Sequence, residues 1–134
     1  EYRIHRPSVA FITLGSNDVY HQDTFEKQMR AIIEFSIEKG VIPVLSTKAD
    51  NLEGDGSLNL TIAQLAREYS VPLWNYWLAV QPLPDQGLQD DQVHLTWGPN
   101  QFDDQQAMKS AWAVRNLTAL QTLDVVWRSM TNLP

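Results

Sequence analysis

An α/β fold built on a parallel sheet is what this sequence predicts, and three observations predict it. Apolar, β-branched runs alternate with amphipathic stretches of helical length in the order β-α-β-α-β. The first run, "SVAFITL" (8–14), is apolar at successive positions, as in a strand buried on both faces within a parallel sheet. A polar turn, "GSND" (15–18), follows at the carboxyl end of that strand, where open α/β sheets bind their ligands.

Each element has its own signal. From Asp23 to Lys39, Phe25, Met29, Ile32 and Ile33 recur at helical spacing. Asp23 with Glu26 resembles a capping box, and Gly40 ends the helix. "VIPVLS" (41–46) reads as the second strand, "LNLTIAQLAREY" (58–69) as the second helix and "VPLWNY" (71–76) as the third strand. Pro43 and Pro72 cannot donate to a ladder and so slightly weaken these strand signals. A long irregular segment runs to about Phe102, and loops of that length often carry function. From Asp103 to Met130, Ala107, Met108, Ala111, Leu117, Leu120 and Val126 support one long helix or two consecutive ones. There is no internal repeat.

Composition sets the outer limits. The 134 residues, 43% of them hydrophobic, suffice for a single domain spanning 1–134. A net charge of −6 repels phosphate backbones, so nucleic acid is not an expected partner. The absence of cysteine removes disulfides, thiolate nucleophiles and Cys-ligated metals, and leaves the redox compartment unread. No apolar run approaches the roughly 20 residues that span a bilayer, so no membrane span is expected. "EYRIHRP" (1–7) lacks the apolar centre of a targeting segment. No motif calls for a cofactor, and His5, His21 and His94 show no metal-ligand spacing.

Two polar motifs carry chemistry. In "TLGSNDVY" (13–20), Gly15 permits a sharp turn and Asn17 offers a neutral amide donor for a developing negative charge. The plainer reading is that Asn17 and Asp18 satisfy turn backbone groups. In "DDQVHLT" (90–96), Asp91 stands three residues before His94, a spacing that holds a carboxylate on an imidazole and makes it a general base. A short pattern of common residues also arises by chance, and the weight rests on the two motifs together and in this order.

With these motifs the chain resembles the SGNH hydrolases, the GDSL-type esterases and lipases. "TLGSNDVY" is similar to that family's third block, Gly-x-Asn-Asp, and "DDQVHLT" to its fifth, Asp-x-x-His. "GVIPVLST", "LNLTIAQLAREYSVPLWNYW" and "LPDQGLQDDQVHLT" follow the family's usual run between the blocks, so the resemblance covers most of residues 8–102. It implies a three-layer, flavodoxin-like α/β/α fold and a serine hydrolase acting on carboxylic esters. It implies that Asn17 donates to the oxyanion, His94 is the base, Asp91 orients it and Gly15 shapes the turn. Asp18 then braces the turn, and Asp90 is set aside because its spacing does not match. Trp97, three residues after His94, is expected to border the substrate. An extracytoplasmic setting follows from the resemblance alone.

The resemblance also shows what is lacking. The family's first block, Gly-Asp-Ser with the nucleophile, and its second-block glycine should precede Gly15, yet only 14 residues do. One β-α-β unit takes about 30 residues, so roughly 50–70 residues of the family pattern are absent and the fold is expected to be incomplete at its N-terminus. Ser16 occupies the variable position of the third block, Ser46 ends a strand that carries no nucleophile in the family, and "GDGS" (54–57) precedes a helix instead of following the first strand. None is expected to substitute. In the flavodoxin-like order 2-1-3-4-5 the missing strand neighbours Ser8 to Leu14, which leaves an apolar edge expected to pair with an N-terminal segment or a second copy.

Other residues have structural readings. Trp74, Trp77, Trp112 and Trp127 fall at core-like positions. "NLT" at Asn59 and Asn116 lies in predicted helices and says nothing of glycosylation, while Arg67, Lys109 and Arg115 read as solvated helix charges. The expectation is therefore part of an SGNH-type esterase, inactive as this chain alone and taking a small-molecule ester when complete. Its rivals are a non-catalytic domain of the same fold, binding an acylated or glycosidic ligand or a partner chain, and a phosphate-binding module. The last is weakened by the lack of a Gly-rich phosphate loop.

Overall fold

The computed structural model describes residues 2–131, which divide into two compact units with the boundary between Leu73 and Trp74. In the first unit a single helical turn, α1 (Tyr2–His5), precedes strand β1 (Val9–Ile12), helix α2 (Gln22–Glu38), strand β2 (Ile42–Ser46) and helix α3 (Ser57–Glu68). Strand β3 (Leu73–Trp74) completes a small parallel sheet of order β1-β2-β3. The β1 and β2 strands run parallel, with Val9 opposite Ile42 and Ile12 opposite Leu45. The strands are consecutive in sequence and in the sheet, so right-handed crossovers put both helices on the same face. The core agrees: Phe25, Met29 and Ile33 of α2 and Leu58, Ile62, Leu65 and Ala66 of α3 pack with Ile12 and Leu45. Burial of a side chain such as Ile33 or Ile62 stabilises by about 1.5–3 kcal/mol. The α/β class is therefore observed, with β1 at one edge of the sheet.

Several elements differ from their sequence expectation for local reasons. β1 is only four residues long, and Val9, Ala10 and Phe11 remain partly exposed, as an edge strand allows. The Asp23/Glu26 capping box is not formed. His21 is the N-cap of α2 without a side-chain cap, and Thr24 Oγ1 donates to the His21 carbonyl at 3.1 Å. Gly40, at φ +69°, ends the helix as expected. β3 is shorter than 71–76 because Pro72 has no N–H, although its carbonyl accepts from Leu45 N–H at 2.9 Å. Asn75 Oδ1 then accepts from Leu78 N–H at 3.1 Å and starts a short helix, α4 (Tyr76–Val80).

In the second unit α4 is followed by irregular chain, a short 3₁₀ turn at Ala107–Lys109 and helix α5 (Ala111–Thr131). The region from Asp103 is thus not one helix. Asp104 Oδ1 accepts from Gln106 N–H at 2.8 Å and Ser110 Oγ donates to the Ala107 carbonyl at 2.6 Å, and such local bonds compete with helix. Tyr76 donates to the Ala111 carbonyl at 2.9 Å, and burial pushes its phenol well above the usual range. Of the tryptophans expected in the core only Trp74 is buried, with Nε1 donating to Thr118 Oγ1 at 3.0 Å. Trp77, Trp112 and Trp127 are exposed. Arg115 is more than a solvated charge, since its guanidinium lies 5.8 Å from the Trp74 ring centre and 5.7 Å from that of Trp112. Among the described residues no helix is long and apolar enough to cross a membrane.

Candidate functional site

The Gly15–Asp18 turn belongs to the first unit. Gly15 has φ +125°, a conformation L side chains rarely adopt, and its carbonyl accepts from Asp18 N–H at 3.0 Å, closing a 3₁₀ turn over Ser16–Asp18. The Asp18 carbonyl in turn accepts from His21 N–H at 2.8 Å, so the backbone of Asp18 carries the turn into α2. The turn leaves the Asn17 side chain exposed and without a hydrogen bond to a described residue. A Cβ on Gly15 would stand 3.1 Å from Lys48 Cδ and 3.7 Å from Phe25 Cζ.

That lysine opens a cluster that sequence reading missed. Lys48, just beyond β2, is 6% exposed, and its Nζ donates to Asp50 Oδ1 at 2.6 Å, to the Asp50 carbonyl at 3.0 Å and to Glu53 Oε2 at 2.5 Å. Ser16 Oγ donates to the second Asp50 oxygen at 2.5 Å. Asn59, the first "NLT" asparagine, clamps the Lys48 backbone from α3: its Oδ1 accepts from Lys48 N–H at 2.8 Å and its Nδ2 donates to the Lys48 carbonyl at 3.1 Å. Glu53 Oε1 is buried and has no hydrogen-bond partner among the described residues. The available signal was "STKAD" (46–50), charged residues directly after a buried strand at the same sheet end as the turn.

The Asp91–His94 motif belongs to the second unit, where local bonds build it. Leu88 and Leu95 form an antiparallel bridge, and Gln89 N–H donates to the His94 carbonyl at 2.8 Å. Thr96 N–H donates to the Gly87 carbonyl at 2.8 Å, and Thr96 Oγ1 accepts from Ala111 N–H at 2.9 Å, which ties the loop to α5. Gly87 is at φ +75°, and a Cβ there would stand 2.6 Å from Ala111 Cβ.

Within this loop Asp91 Oδ1 accepts from the backbone N–H of Val93 at 3.0 Å and of His94 at 2.9 Å, while Oδ2 meets His94 Nδ1 at 2.6 Å. The His94 imidazole, followed by these two N–H groups, holds the Asp91 carboxyl down at about 2. An ionised carboxylate only accepts, so Nδ1 carries the proton and the lone pair of a neutral His94 lies on Nε2. The His94 side chain is 74% exposed, leaving Nε2 open to an incoming group.

The structure thus brings Asp91 and His94 together in one unit and sets Gly15, Asn17 and Ser16 in the other. Trp97 is 76% exposed. Ser46 Oγ donates to the Thr47 carbonyl at 2.9 Å, and Ser57 opens α3 with its Oγ donating to Gln22 Oε1 at 3.0 Å. Among the described residues no group of three or more His, Cys, Asp and Glu side chains is arranged to hold a metal ion. Comparison with models of protein families and with curated proteins finds no match.

Proposed function

We propose that this chain supplies the general base and an oxyanion donor of an SGNH-type carboxylic ester hydrolase, whose nucleophilic serine is contributed from outside these 134 residues. The observation that carries the reading is the Asp91–His94 pair, with Nδ1–H held by a carboxylate at 2.6 Å and the imidazole largely exposed. In the proposed reaction Nε2 of His94 takes the serine proton as the oxygen attacks the ester carbonyl, and later returns it to the leaving alcohol. Asp91 stays ionised throughout, fixing the tautomer and stabilising the imidazolium. The Asn17 amide donates to the carbonyl oxygen as it gains charge. Water then repeats the cycle on the acyl-enzyme. The hydrogen bonds committed by Ser16, Ser46 and Ser57 support the view that none of these three is the nucleophile.

The test begins with the coding sequence upstream, where the reading expects Gly-Asp-Ser about 60 residues before Gly15. In the protein carrying that serine, Asn17→Ala should lower hydrolysis of a p-nitrophenyl ester by about 100- to 1,000-fold, the usual effect of losing one oxyanion donor. Turnover unchanged by Asn17→Ala removes the oxyanion role. The 134-residue chain alone should gain no mass on exposure to a fluorophosphonate probe, and an adduct on any of its serines would overturn the proposed division of the site.

A further inference from the structure

The geometry points to Ser16, Asp50 and Lys48 as positioning residues that set the orientation of Asn17, an inference whose functional meaning rests on the proposed oxyanion role. Asn17 has no hydrogen bond to a described residue, so its direction is inherited from the backbone of the turn. That backbone is gripped twice. Beneath Gly15 the methylenes of Lys48 fill the space a Cβ would need, with Cδ 3.1 Å from that position. Beside it, Ser16 Oγ donates at 2.5 Å to an Asp50 carboxylate whose other oxygen holds Lys48 Nζ at 2.6 Å. Both grips end on Lys48, which Asn59 anchors to α3 through both of its backbone polar groups.

The same arrangement decides what Ser16 does. Both Asp50 carboxylate oxygens are committed, one to Lys48 Nζ and the other to the Ser16 hydroxyl, which is spent as a donor to it. Ser16 is therefore a tether. Glu53 pairs with the same Nζ but makes no hydrogen bond to the turn, which makes it the natural control.

The experiment uses the 134-residue chain, labelled with ¹⁵N, and reads the Asn17 side-chain amide pair and the Asp18 backbone amide by NMR. Ser16→Ala should move the Asn17 resonances and speed exchange of the Asp18 amide on the order of tenfold, about what one lost hydrogen bond is worth. Ser16→Thr, which restores a hydroxyl, should return both. Asp50→Asn, with its oxygen kept by Lys48, would turn its NH₂ to the Ser16 Oγ, which can accept instead of donating, so it should disturb Asn17 less than Ser16→Ala. Glu53→Gln changes the network charge by the same amount and should leave Asn17 in place. Asn17 resonances unmoved in Ser16→Ala, or moved equally by Glu53→Gln, overturn the inference. These spectra do not depend on ester turnover, so a silent Asn17→Ala in the activity assay removes the oxyanion role without touching them.

Discussion

The two motif-bearing regions are built in opposite ways. The Gly15–Asp18 turn is supported from far along the chain, through buried Lys48 and Asp50 and half-buried Asn59. The Asp91–His94 pair closes within four residues, on the surface, inside a loop whose bonds are mostly local. A site held by long-range buried charges is coupled to the stability of its whole unit. A site held by local bonds can be altered almost alone. The difference teaches that the same kind of polar motif in a sequence conceals very different energetic dependence.

Lys48→Met should break the comparison open most widely. Removing the ammonium strands the buried carboxylates of Asp50 and Glu53, and loss of one partner from a buried pair typically costs 3–5 kcal/mol. Urea unfolding should show that loss in the first unit, and a change under about 1 kcal/mol would mean that the cluster does not hold the turn. Gly87→Ala probes the other region at a tight contact between its loop and α5. A Cβ 2.6 Å from Ala111 Cβ at φ +75° should cost about 1–3 kcal/mol by overpacking and backbone strain. An unchanged unfolding midpoint would refute the close approach of the loop to α5.

Asp91→Asn should have the smallest effect on stability and a specific signature in pH. The folded Asp91 carboxyl titrates at about 2, below its ordinary value of about 3.9, so its contribution is present above the ordinary value and is lost as pH falls from about 4 to about 2. The substitution should flatten that part of the acid unfolding profile by slightly lowering stability at neutral pH, where the ionised carboxylate contributes, while variant and native chain converge below about pH 2. An identical acid profile in the variant would show that Asp91 is not held by His94 and the two backbone N–H groups.

Much of this was legible from sequence because it is local. Phe25, Met29 and Ile33 at a spacing of four declare a helix face whatever packs on it, and all three are buried. Asp91 and His94 meet because an Asx turn at that spacing needs only its own backbone. Gly40 stops α2 for an equally local reason. Where expectation failed, a competing local bond or burial had won. Asn75 turned the end of the third strand into a helix N-cap, Asp104 and Ser110 delayed α5, and Trp77, Trp112 and Trp127 satisfied helical periodicity without being covered.

The sequence by itself determined the alternation of strands and helices, and with it the parallel sheet, because hydrophobic periodicity and turn chemistry act over a few residues. It also determined the Asp91–His94 pair. Only the tertiary structure decided the surroundings of Gly15: Ser16 meets Asp50 across 34 positions of sequence, and Lys48 enters the core only because two carboxylates meet it there. A lysine after a strand reads as a solvated charge until its partners are placed, since burying it is favourable only once those partners are fixed in space.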